Sequence, residues 1–158
     1  MKTYLDATSF KDKVQLSQKV GSGGVYKFNG TKWTTETFNE YVIPKVTGIE
    51  FYCDYSKCKG IRLIYQSNLQ GPLYEVFNQE VTPKVFYFEK DEHINFMNGL
   101  SIDGEITKIS VQTNKGRTYS SISGGIGRDR FEIDLREGGD NALIALNGQY
   151  STKSINKL

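Results

Sequence analysis

Ile106-Thr-Lys-Ile-Ser-Val-Gln-Thr-Asn-Lys-Gly-Arg-Thr-Tyr119 decides the reading of this chain. Ile106, Ile109, Val111 and Thr113 are β-branched, and from Ile109 to Thr113 such residues alternate with Ser110 and Gln112. That is the period of two expected of a half-buried strand. Asn114-Lys-Gly116 breaks the alternation where a hairpin turn belongs, because Asn and Gly adopt positive φ at little cost. Arg117-Thr-Tyr119 reads as the start of a return strand, and Ser123-Gly-Gly-Ile-Gly127 as a glycine-rich loop.

Working outward, further strand-sized runs appear. Val14 to Val20 has enough alternation for a first strand, followed by a turn at Gly21-Ser-Gly-Gly24. Tyr41 to Ile43 and Thr47 to Tyr52 read as extended, interrupted by Pro44, which cannot donate to a ladder. Ile49, Phe51 and Cys53 share one face of the second segment, and Gly60 to Tyr65 is the next strand. Gly71-Pro72 marks a loop. Val85 to Phe88 is a short aromatic strand, with Ile94 to Met97 as its expected partner across Glu89–His93. Phe131 to Leu135 alternates, and Ala142 to Leu146 is a continuous apolar run that predicts a strand buried on both sides. Runs spaced at roughly 8–15 residues, with no long helical stripe, predict one all-β domain. Residues 19–158 form that domain, and residues 1–18 read as an N-terminal arm or first-strand region.

Composition agrees. Ten Tyr, nine Phe and sixteen Gly against three Pro suit a sheet protein with many tight turns. A formal charge of +2 supplies no long-range field to hold nucleic acid. Arg128, Arg130 and Arg136 are interleaved with Asp129, Glu132 and Asp134, which reads as a solvated face. No window approaches the roughly 18 apolar residues of a membrane span. Met1 to Asp12 lacks an apolar h-region and a small-residue cleavage site, so no signal peptide is expected. That points to the cytoplasm, although a secreted mature form would read the same. Cys53 and Cys58, with four residues between them, either close a hairpin in an oxidising compartment or remain free thiols. A single His leaves a zinc site without an ordinary ligand set, so two thiols in a turn is the expectation and no metal or cofactor is assigned.

Catalytic constellations are not apparent. Gly21-Ser-Gly-Gly24 lacks the Lys-Ser/Thr ending of a phosphate loop. His93 has no nucleophile and orienting partner placed beside it, and the carboxylates are scattered. The chain reads as no enzyme. Asn29-Gly-Thr31 matches a glycosylation sequon, which has meaning only in a secreted protein. Most aromatics fall at strand spacing and read as core. Trp33 and Tyr150, among polar neighbours, are kept as stacking surfaces.

A strand, a Thr-Asn-Lys-Gly-Arg-Thr-Tyr turn and a glycine-rich loop, in that order, resemble the jacalin-related lectins. Lys19-Val-Gly-Ser-Gly-Gly24 resembles that family's opening Gly-Gly loop, Gly48 to Tyr65 its first long hairpin, and Glu92-His-Ile94 the Glu-x-Ile before its central hairpin. The resemblance implies the β-prism I fold: three four-stranded antiparallel Greek-key sheets around a pseudo-threefold axis. It also implies a saccharide site between the Gly-Gly loop and the loop joining the last two strands.

In this chain that site would comprise Gly23, Gly24, Gly148, Gln149, Tyr150 and Thr152 or Lys153. The family's Asp, an acceptor for two vicinal hydroxyls, is replaced: counting from Gly148 puts Thr152 there, and counting back from Ile155 puts Lys153 there. An acceptor-only group has become a hydroxyl or a donor-only ammonium. The expected function is carbohydrate binding without catalysis, through a non-standard loop. A neutral sugar would rest on Tyr150, and an anionic glycan would be drawn by Lys153, Lys157 and Lys19. The alternative is a prism used as a protein-interaction or assembly subunit that has lost its sugar site. A homo-oligomer is compatible with either.

Overall fold

A computed structural model describes residues 26–38, 44–54, 57–71, 74–75, 82–121, 127–136, 141–150 and 155–157. Expected features at Val14–Val20, Gly21–Gly24, Tyr41–Ile43 and most of Ser123–Gly127 lie outside them. The chain runs β1 (Tyr26–Asn29), α1 (Gly30–Thr37), β2 (Val46–Cys53), β3 (Cys58–Tyr65), β4 (Leu69–Gln70), β5 (Tyr74–Glu75), β6 (Lys84–Tyr87), β7 (Ile94–Ile102), β8 (Glu105–Thr113), β9 (Thr118–Ser120), β10 (Asp129–Asp134), β11 (Asn147–Tyr150) and β12 (Ile155–Lys157). All ladders are antiparallel. The described strands group as β1-β11-β12, as β10-β7-β8-β9, and as β4-β3-β2-β6 with β5 also on β3.

The segment that decided the sequence reading lies at the centre. β8 packs against β3 and β12 as well as its ladder partners β7 and β9. Ile106, Ile109 and Val111 are fully buried beside Ile49, Phe51, Ile61, Ile94 and Ile155 in one core cluster. At the start of β8, Asp103 and Gly104 take positive φ (50° and 79°), which matches the twist of a two-residue hairpin. At its end, the Gly116 N–H donates to the Thr113 carbonyl at 3.0 Å with φ +77°, and β9 returns.

Glu92 holds this hairpin. Its side chain has no solvent exposure. Oε1 accepts the Glu89 N–H at 2.7 Å, and Oε2 accepts the Thr113 hydroxyl at 2.7 Å. Arg117 Nε lies 3.8 Å from the same Oε2, and the Arg117 guanidinium pairs with Glu89. Hydrogen bonds with Tyr119 and Glu89 hold that guanidinium above its ordinary pKa. Asn114 completes the tie: its Oδ1 accepts the His93 N–H at 2.8 Å and its Nδ2 donates to the Asp91 carbonyl at 2.9 Å. Tyr119 stacks on Phe86 and Phe88 with centroids 4.9 and 5.5 Å apart.

Several sequence expectations need correction. Val85–Phe88 does not pair with Ile94–Met97: β6 pairs with β2, while β7 pairs with β8 and β10. The turn at 89–92, with Asp91 at φ 62°, carries the chain between sheets rather than closing a hairpin. Ala142–Leu146 forms no strand, and only Leu146 in that run is buried. Its polar backbone is satisfied singly, by Ile94 accepting the Leu143 N–H at 2.9 Å and by the Tyr65 hydroxyl donating to Ile144 at 2.7 Å. Cys53 and Cys58 are not free thiols; they are a cross-strand pair joined by a disulfide, with Cα atoms 4.1 Å apart. Trp33 is no open stacking surface. It packs on Tyr65 and Phe38, with centroids 5.2 and 6.1 Å away.

Replacing Glu92 with Ala leaves the part-buried Glu89 N–H and the buried Thr113 hydroxyl without their acceptor. We expect Glu92→Ala to lower unfolding free energy by about 3 kcal/mol and Thr113→Val by about 2 kcal/mol in urea titration. A loss under about 0.5 kcal/mol for both contradicts the role assigned to this carboxylate.

Candidate functional site

The backbone register sets the start of β1 against the end of β11. β1 and β11 pair with Tyr26 opposite Tyr150, Lys27 opposite Gln149, and Phe28 opposite Gly148. β11 then pairs with β12 through Gln149–Lys157 and Tyr150–Ile155, with a register shift between Gln149 and Tyr150. Gly24 is two residues before Tyr26, and residues 151–154 immediately follow Tyr150. The described start of β1 therefore lies beside the described end of β11.

Of the predicted site residues, Gly148, Gln149 and Tyr150 are in β11. Gly23, Gly24, Thr152 and Lys153 lie outside the described residues, as does Lys19. Lys157 closes β12 opposite Gln149.

The segment leading into β11 is held by a group that the sequence reading took only as a strand residue. Tyr65, at the end of β3, is 2% exposed and stacks between Trp33 and Phe38 at 5.2 and 5.4 Å. Its hydroxyl donates to the Ile144 carbonyl and also shares a hydrogen bond with Thr34, itself 1% exposed. Thus α1, β3 and the approach to β11 meet at one phenol. Burial pushes that phenol up to about 12 from an ordinary value of 10.0, with the Thr34 contact opposing. The signal for this role was faint: a Tyr ending an apolar strand is ordinary core by periodicity, and only its long-range partners distinguish it.

Other polar groups read as framework. Glu50 is buried on β2, where its Oε2 accepts the Tyr52 hydroxyl at 2.9 Å and faces Arg62 Nε at 3.5 Å. His93 sits in the turn held by Asn114. Among the described residues, no group of three or more His, Cys, Asp or Glu side chains is arranged for a metal ion. Nor is any helix among them long and apolar enough to cross a membrane.

The same architecture recurs in solved lectins. A prostate-specific WGA16 glycoprotein lectin matches at 20% identity with a TM-score of 0.65, over 89% of this chain and 91% of that one. The chain has the jacalin-like lectin fold. Wild-type Malaysian banana lectin matches at 18% identity with a TM-score of 0.64, over 89% and 91% of the two chains. Single-chain recombinant jacalin matches at 16% identity with a TM-score of 0.62, over 91% and 92%. No family model matches the sequence, and no curated protein matches it. In this jacalin-like framework, likeness in shape persists where sequence likeness has faded.

Because Tyr65 is neutral in the folded state and its pKa is raised, its contribution is complete below pH 10 and is lost as pH rises from about 10 towards 12. Tyr65→Phe should cost about 1 kcal/mol at neutral pH through the orphaned Ile144 carbonyl. The variant should also lose stability less steeply than the parent above pH 10 in alkaline denaturation. Identical alkaline slopes would contradict the assignment.

Proposed function

We propose that this chain is a carbohydrate-binding module without catalytic activity, and that its three groups of strands are the faces of a β-prism. The observation that carries the reading is the β1–β11 register in a chain shaped like solved lectins, which sets Tyr26 opposite Tyr150. Gly23 and Gly24 offer backbone N–H groups at close approach, because no side chain stands between backbone and ligand. Gln149 supplies a carboxamide that both donates and accepts, and Tyr150 an aromatic face for the apolar side of a sugar ring.

The chemistry at the Asp position sets the ligand class. Thr152 both donates and accepts but carries no charge, whereas Lys153 only donates. A neutral sugar would depend on Gln149, Thr152 and backbone groups. An anionic glycan would gain charge-assisted hydrogen bonds from Lys153, supported by Lys157 and Lys19. The missing carboxylate also favours a second reading, a prism that serves as a protein-interaction subunit.

A glycan array at low and physiological salt separates these readings. Defined hits that persist with salt indicate a neutral sugar, and hits that fade indicate a glycan held by lysines. Tyr150→Ala is expected to abolish the hits with Tm nearly unchanged. A blank array from folded protein, together with a stable partner in pull-down, overturns the carbohydrate reading in favour of the interaction subunit.

A further inference from the structure

We propose that the cleft between the end of α1 and the bend linking β3 to β4 is a second ligand site, built for a neutral saccharide or similar polyol. It is a wide-open depression of about 770 Å³, lined among the described residues by Phe38, Gln66, Ser67, Leu69 and Gln70. That volume is within the range of about 300–1,000 Å³ typical of small-molecule sites. It lies on the other side of the β1–β11 ladder from the site proposed above. α1 follows Asn29, which is paired with Asn147, whereas the first site adjoins Tyr26 and Tyr150. The inference stands apart from the first site, because a chain that binds nothing beside Tyr150 still carries this cleft.

The floor is apolar. The Phe38 ring is held by Trp33 and Tyr65 at 6.1 and 5.4 Å, and Leu69 is 41% exposed beside it. The rim is polar and uncharged. Gln66 Oε1 accepts the Lys45 N–H at 2.8 Å, which pins the carboxamide and leaves its NH2 to donate. Gln70 is exposed and presents a second carboxamide. Between them Ser67 takes the left-handed conformation, φ 62° and ψ 26°. That conformation costs an L-residue roughly 1–2 kcal/mol, which glycine would avoid. The chain instead keeps a hydroxyl there.

These groups select a ligand class. Carboxamides and hydroxyls each donate and accept, the pattern that vicinal sugar hydroxyls complement. Phe38 and Leu69 match the C–H face of a pyranose, since an apolar floor with a few convergent polar groups is the general form of such sites. Among the described residues no charged side chain lines the cleft, which favours a neutral ligand.

The test is a nuclear magnetic resonance titration of the isotope-labelled full chain with methyl α-mannoside, methyl α-galactoside and N-acetylglucosamine, each to tens of millimolar. We expect saturable shifts of Gln66, Ser67 and Gln70 resonances with at least one sugar. Gln70→Ala should weaken that response about tenfold, the worth of one or two hydrogen bonds. Ser67→Gly should weaken it too while keeping or raising Tm, because it removes the hydroxyl and relieves the backbone. Tyr150→Ala should leave these shifts in place, which separates this cleft from the first site. Absence of saturable shifts at all three residues with every sugar overturns the proposal. So do shifts that survive both Gln70→Ala and Ser67→Gly.

Discussion

A carboxylate with no solvent exposure, Glu92, is the constraint on which the rest of the molecule rests. Burying a charged group is costly unless its lone pairs are satisfied. Here a backbone N–H, the Thr113 hydroxyl and the Arg117 guanidinium converge on it. These partners come from two places: the turn that carries the chain out of β6, and the hairpin that joins β8 to β9. The carboxylate thereby ties the crossover between sheets to the central strand. With β8 held, Ile106, Ile109 and Val111 sit in the shared core against β3 and β12.

The motif that makes the chain recognisable is thus architectural. Thr113 serves Glu92, Asn114 serves His93 and Asp91, Gly116 makes the turn, Arg117 pairs with Glu89, and Tyr119 stacks on β6 and its extension. This explains how a chain at 14–20% identity to solved lectins keeps their fold.

Much of the framework was legible because it is local. β2, β8 and β10 show alternation directly, β3 reads as an apolar strand-sized run, and Asn114-Lys-Gly116 carries its own turn chemistry. What was hidden depends on partners distant in sequence. β6 looks ready to pair with β7, but sheet assignment is settled by Glu92 and by β2, not by the short connection between them. Ala142 to Leu146 has the composition of a central strand, yet its backbone is satisfied one group at a time, by Ile94 and Tyr65. The eight-residue helix α1 is too short for an apolar stripe, and its place comes from Trp33 and Thr34 meeting Tyr65. The cysteines gave no local sign of whether they were joined; register answered by setting Cys53 opposite Cys58. For the first site, sequence could name residues but not their meeting; the Tyr26–Tyr150 pairing places β1 against β11. The cleft at Phe38 and Gln66 had no sequence signal, because its residues are ordinary and only the packing of α1 brings them together.

The central claim is that saccharide recognition belongs to the end of the β1-β11-β12 sheet where Tyr26 faces Tyr150. The most direct measurement is a crystal structure of the full chain grown with a saccharide at saturating concentration. The account predicts sugar density between the Gly23–Gly24 backbone and residues 149–153, with Tyr150 against the apolar face of the ring. A sugar bound only elsewhere on the protein, with this end unoccupied at the same concentration, would contradict it.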